Sequence, residues 1–93
     1  MKVRAHLLID GRVQGVYYRA FTREVAYLHG LAGWSKNLPD GRVEVVFEGE
    51  KDKIEAAIRH CYEGTPFSRV TNIETTWENK LEGLTDFTIR YWD

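Results

Sequence analysis

The sequence predicts an α+β sandwich, an antiparallel sheet with two helices on one face. Three observations predict it. Apolar residues alternate with period two at the start, middle and end of the chain. Between them, two stretches switch to helical spacing, and glycine, proline or aspartate stands at the breaks. Ninety-three residues suit one domain, 1–93, with a single modest core.

Val3, Ala5, Leu7 and Ile9 alternate with Arg4, His6, Leu8 and Asp10, the period of a half-buried strand. A glycine-containing loop follows. Tyr18, Phe21, Val25 and Leu28 then fall at helical spacing, and Gly30 after His29 ends that helix. A second strand is expected over 32–38, before the turn-forming Pro39-Asp40-Gly41. The third, 42–48, again alternates, and Gly49 is expected to break it. Glu50 and Asp52 suit the first turn of a second helix, where negative charge opposes the helix dipole. Ile54, Ala57, Ile58 and Cys61 form its apolar stripe, and Gly64-Thr65-Pro66 stops it. A fourth strand spans 69–77 and a short extra C-terminal strand 85–91, with Phe87, Ile89 and Tyr91 on one face. The order βαββαβ is that of a ferredoxin-like sandwich.

Composition narrows the function. Thirteen Lys and Arg balance fourteen Asp and Glu, and a dedicated nucleic-acid binder usually shows a basic excess. Cys61 is the one cysteine, so no internal disulfide forms, which permits a reducing compartment. Charges interrupt every apolar run, so neither a membrane span nor a signal peptide is expected. The expectation is a cytoplasmic monomer. His6, His29 and His60 lie apart on different elements without metal-ligand spacing, so no metal is expected. Trp34 and Trp77 suit packing against helices or a sheet edge, and Trp92 a frayed end. The rival reading of these aromatics is a stacking platform for RNA, but Glu44 and Glu48 on the third strand would repel phosphates.

Two segments carry chemistry. In Gly11-Arg12-Val13-Gln14-Gly15-Val16-Tyr17-Tyr18-Arg19, two glycines let consecutive backbone N–H groups turn toward one anion, and Arg19 follows near a helix N-terminus. The loop lacks the Gly-Lys-Ser/Thr of a Walker motif and the third glycine of a dinucleotide fingerprint. A plain strand-to-helix connection is the alternative. In Gly33-Trp34-Ser35-Lys36-Asn37-Leu38-Pro39-Asp40-Gly41-Arg42-Val43-Glu44, Asn37 precedes a tight turn. An amide is no base, but it can position a water. Such a pair suits a substrate with a good leaving group, and a mixed carboxyl–phosphate anhydride is one. Asn37 as a local turn capper is the structural alternative.

These two segments closely resemble the signature motifs of acylphosphatases, and the similarity extends over essentially the whole chain, more weakly after Gly64. The resemblance implies that Arg19 binds the phosphoryl group and Asn37 orients the nucleophilic water. It also implies that the backbone of Gln14, Gly15, Val16, Tyr17 and Tyr18 cradles the phosphate. The expected substrate is a small-molecule acyl phosphate, with inorganic phosphate or sulfate as competing anion. Neither cofactor nor metal nor phosphoenzyme is implied. Tyr18, Ser35 and Lys36 depart from the phenylalanine, valine and arginine usual in that family. A non-catalytic anion-binding domain and an RNA-binding module on the same fold are the alternative functions.

Overall fold

The computed structural model describes residues 1–91. Its elements are β1 (Lys2–Arg12), α1 (Tyr18–His29), β2 (Ala32–Asn37), β3 (Val43–Glu50), α2 (Lys51–Glu63), β4 (Arg69–Glu78) and β5 (Phe87–Arg90). The sheet order is β4-β1-β3-β2-β5. Both helices lie on one face, α1 over β2 and β5, α2 over β1, β3 and β4.

Register explains the core. Ala5 stands opposite Phe47, Leu7 opposite Val45 and Ile9 opposite Val43, so the alternating apolar residues of β1 and β3 share the helix-facing side. Val25 and Ala26 of α1, and Ile54, Ala57 and Cys61 of α2, close over them, all buried. The helical stripe read at Ile54, Ala57 and Cys61 is therefore a core face, with Ile58 packed at its margin.

Four expectations change. Gly49 does not break β3: it pairs with Val3, and the ladder runs to Glu50 because β1 begins early enough to supply partners. Glu50 therefore ends the strand in extended conformation as the N-cap of α2, and only Asp52 lies in the first helical turn. Trp34 packs against neither helices nor a sheet edge. Its register partner is Val46, on the face opposite the helices, where Arg90 lies 4.4 Å and Lys36 5.7 Å from its ring. Trp77, at the β4 edge, has the Lys51 ammonium 5.4 Å from its ring, and Trp92 lies outside the described residues.

The fourth change concerns β5, which spans Phe87–Arg90 and pairs parallel with β2, making the sheet mixed. Direction follows from connectivity. β4 runs antiparallel to β1 and ends beside Arg4, near where β1 starts. Segment 79–86 crosses that end of the sheet, so β5 enters in the same sense as β2. Its C-terminal end consequently arrives at the end of the sheet where β1 and β2 finish.

Glu48 holds the crossing segment. Its buried carboxylate accepts the backbone N–H of Glu82 at 2.8 Å and of Leu84 at 3.1 Å, and the Arg4 guanidinium at 2.7 Å. Arg4 also reaches Glu78 and Glu82. Burial alone would raise the Glu48 pKa, but these donors together hold it below the ordinary carboxylate value. Glu48→Gln is expected to cost about 2–3 kcal/mol at neutral pH, because one buried acceptor is lost and Arg4 loses its nearest partner. A depressed carboxylate stabilises the fold above its unfolded pKa and loses that effect as pH falls through its lowered native value. The gap between wild type and variant in urea unfolding should thus narrow below about pH 4. Equal midpoints at neutral pH would contradict this role.

Candidate active site

The loop between β1 and α1 is anchored at both ends of its turn. Val13 and Val16 are buried in the core. Gly11 marks a register shift of β1 against β4, and a Cβ there would fall 2.0 Å from the Arg69 carbonyl oxygen, so only glycine fits. Gly15 and Tyr17 both take positive φ, 73° and 62°. For Tyr17 this left-handed conformation costs about 1 kcal/mol, and its side chain gains no burial in exchange, being 80% exposed. The strained turn folds the backbone around a concave point in front of α1.

That helix begins without a side-chain cap and without an acidic residue in its first turn. Its leading N–H groups and dipole therefore face the concavity unopposed. Tyr18 is fully buried and its hydroxyl donates to the Cys61 carbonyl at 2.7 Å, tying the first turn of α1 to the last of α2. Burial raises its pKa far out of reach, so it stays a neutral strut. The departure at 18 thus carries its own partner. Burial likewise pushes the Cys61 thiol up to about 12, which leaves it no nucleophile. Thr65 Oγ1 donates to the Val16 carbonyl at 3.2 Å and buttresses the loop from behind.

Arg19 is held by β5: its Nη1 donates to the Arg90 carbonyl at 3.3 Å, and its guanidinium lies 4.7 Å from the Tyr91 ring centre. Among the described residues no carboxylate pairs with it. Asn37 ends β2 and pairs with Val43, so its side chain lies on the helix-facing side. Its Oδ1 is buried without a protein hydrogen-bond partner. The neighbouring Ser35, on the same side, is fully buried with its hydroxyl also unpartnered.

These groups meet in one pocket of about 360 Å³, lined by Gly15, Tyr17, Tyr18, Arg19 and Asn37, with Ile89 and Tyr91 from the β5 end. Of the expected phosphate-binding residues, Gln14 and Val16 turn their side chains elsewhere. Val16 points into the core. Gln14 reaches across to the β2–β3 turn, where its Nε2 donates to the carbonyls of Leu38 at 2.8 Å and Arg42 at 2.9 Å. That turn is closed by the Leu38 N–H on the Arg42 carbonyl and stiffened by Asp40, which accepts the Arg42 N–H and Nε. The hydrogen bond from the Arg42 N–H is the main reason the Asp40 pKa is lowered.

Among the described residues, no group of three or more His, Cys, Asp or Glu is gathered that could hold a metal ion. His29 and His60 do meet, their nitrogens 2.9 Å apart at the α1–α2 contact. Sequence reading missed three supports of the pocket: the Gln14 bridge, the Thr65 buttress and the hold of β5 on Arg19. Each joins residues far apart in the chain, and no local spacing signals it.

The family model described as acylphosphatase matches residues 5–89. The chain is 54% identical over 78 residues to an acylphosphatase of Syntrophobacter fumaroxidans, covering 84% of this chain and 80% of that protein. It is 50% identical over 88 residues to one from Haloarcula marismortui, covering 95% and 96%. Among solved structures, the acylphosphatase from Bacillus subtilis superposes with a TM-score of 0.94 at 42% identity, covering 96% of this chain and 99% of that one.

Proposed function

This chain belongs to the acylphosphatase family and hydrolyses acyl phosphates, and from that premise we propose how its own residues carry the reaction. The phosphoryl group sits in the concavity before α1, held by the backbone N–H groups from Gln14 to Tyr18 and by the Arg19 guanidinium. A water accepts a hydrogen bond from the Asn37 amide and donates one to Oδ1, which aims an oxygen lone pair at phosphorus. As the water oxygen attacks in line, the bond from phosphorus to the bridging oxygen breaks and its electron pair leaves on the carboxylate. The water proton passes to a phosphoryl oxygen of the substrate. The charge spread over the equatorial oxygens is met by Arg19 and the loop N–H groups, fixed before the substrate arrives. No protein base is required, since the leaving group is already a stable anion.

The observation that carries this reading is the buried Asn37 Oδ1, an acceptor without a protein partner, on a residue that shares its pocket with an arginine paired to no carboxylate among the described residues. An unsatisfied buried carbonyl costs about 1–3 kcal/mol unless a water or substrate completes it. The expected result is hydrolysis of benzoyl phosphate in excess chelator, with inorganic phosphate competing against substrate. Turnover that dies with chelation, or a rate indifferent to saturating phosphate, would refute the metal-free cradle. The protein is proposed to act as a cytoplasmic monomer. Among the described residues, no helix is long and apolar enough to cross a membrane. The family match does not favour the non-catalytic or RNA-binding alternatives.

A further inference from the structure

The two halves of the pocket lie on strands that do not touch. The cradle leaves β1, Asn37 ends β2, and β3 lies between them in the sheet. No ladder joins β1 directly to β2; they meet only through β3, where Val43 pairs with both Ile9 and Asn37, and the cradle lies beyond the end of β1. One side chain spans the gap. The two N–H bonds of the Gln14 amide are committed to the carbonyls of Leu38 and Arg42, which flank the turn directly after Asn37. In sequence Gln14 adjoins Gly15, a lining residue of the pocket, and Leu38 adjoins Asn37.

We infer that the Gln14 side chain is a positioning residue, a cross-brace that fixes the water-holding Asn37 relative to the phosphate cradle. This rests on the hydrolytic reading above. The role demands a double donor. Both targets are carbonyl oxygens, so an ionised carboxylate in the same place would repel them, and an aliphatic chain would leave the gap unbridged. The cradle has its own anchors in Val13, Val16 and Thr65, so it survives loss of the brace. What drifts is the water. Displacing a reacting atom by about 1 Å costs on the order of a hundredfold in rate.

The test compares wild type, Gln14→Leu and Gln14→Glu for kcat and KM on benzoyl phosphate, and for inhibition by inorganic phosphate. At neutral pH both variants should lose roughly ten- to a hundredfold in kcat, while phosphate inhibition stays within about threefold of wild type. As pH falls toward about 5, a glutamic acid squeezed against two carbonyls protonates and regains one O–H donor. Gln14→Glu should then recover part of its kcat, while Gln14→Leu does not. A merely structural glutamine would not produce that divergence. The brace is overturned if kcat stays within about twofold of wild type, if phosphate inhibition weakens in parallel with kcat, or if both variants share one pH profile. A wild-type protein without turnover would refute the hydrolytic reading, and the brace with it. Active wild type with indifferent variants would refute the brace alone.

Discussion

Replacing Asn37 with alanine is expected to lower kcat on benzoyl phosphate by a factor of roughly 10²–10³ while phosphate inhibition stays nearly unchanged. The split follows from where the amide sits. Asn37 lies at the end of β2, across the pocket from Arg19 and the α1 N-terminus, so deleting it removes no contact assigned to the phosphoryl oxygens. It removes only the groups that aim the water, which matter in the transition state and not in the ground state. A hundredfold loss corresponds to about 2.7 kcal/mol, the size of one lost preorganised interaction. Folding should not suffer. The buried Oδ1 has no protein partner, so its deletion breaks no internal hydrogen bond, and the Asn37→Ala thermal midpoint should match or exceed that of wild type. Equal losses in kcat and in phosphate affinity would move Asn37 from water positioning to phosphate binding.

Arg19→Ala should behave differently, losing phosphate inhibition and turnover together, by roughly 10³-fold or more in kcat/KM. Among the described residues, the guanidinium is the one charged side chain lining the pocket. Its geometry comes from β5, through the Arg90 carbonyl and the Tyr91 ring, and not from a carboxylate that would neutralise it. Arg19→Lys separates charge from shape. It keeps the positive charge but not the planar fork, so phosphate inhibition should recover more than kcat does. Identical kinetics for Arg19→Lys and wild type would mean that only charge matters there.

Much of the architecture is legible because short-range periodicity records which side of an element is buried. Val3 to Ile9 alternate because β1 has one face against the helices, and Ile54, Ala57 and Cys61 repeat at helical spacing because α2 has one face against the sheet. The glycine loop and the lone Asn37 were also legible, through residue chemistry and through likeness to a family. Other elements were not. Gly49 reads as a breaker, yet β1 supplies a partner that keeps it in the ladder. Trp34 reads as packed against helices or a sheet edge, yet the register places it on the far face of an interior strand beside Arg90.

By itself, then, the sequence determined the order of elements, their buried faces, and the residue types able to grip a phosphoryl group and hold a water. Those properties are local, written in spacings of two to four residues and in turn chemistry. Only the tertiary structure decided that β5 runs parallel to β2 and brings Arg90 and Tyr91 to Arg19. It alone decided that Gln14 bridges over β3 to the turn after Asn37, and that Glu48 pins the crossing segment. The reason is physical. The hydrogen bonds among these contacts join residues from 24 to 71 positions apart, and their partners are mostly backbone carbonyls and N–H groups. Every residue carries such groups, so no side-chain pattern marks them until the chain is folded.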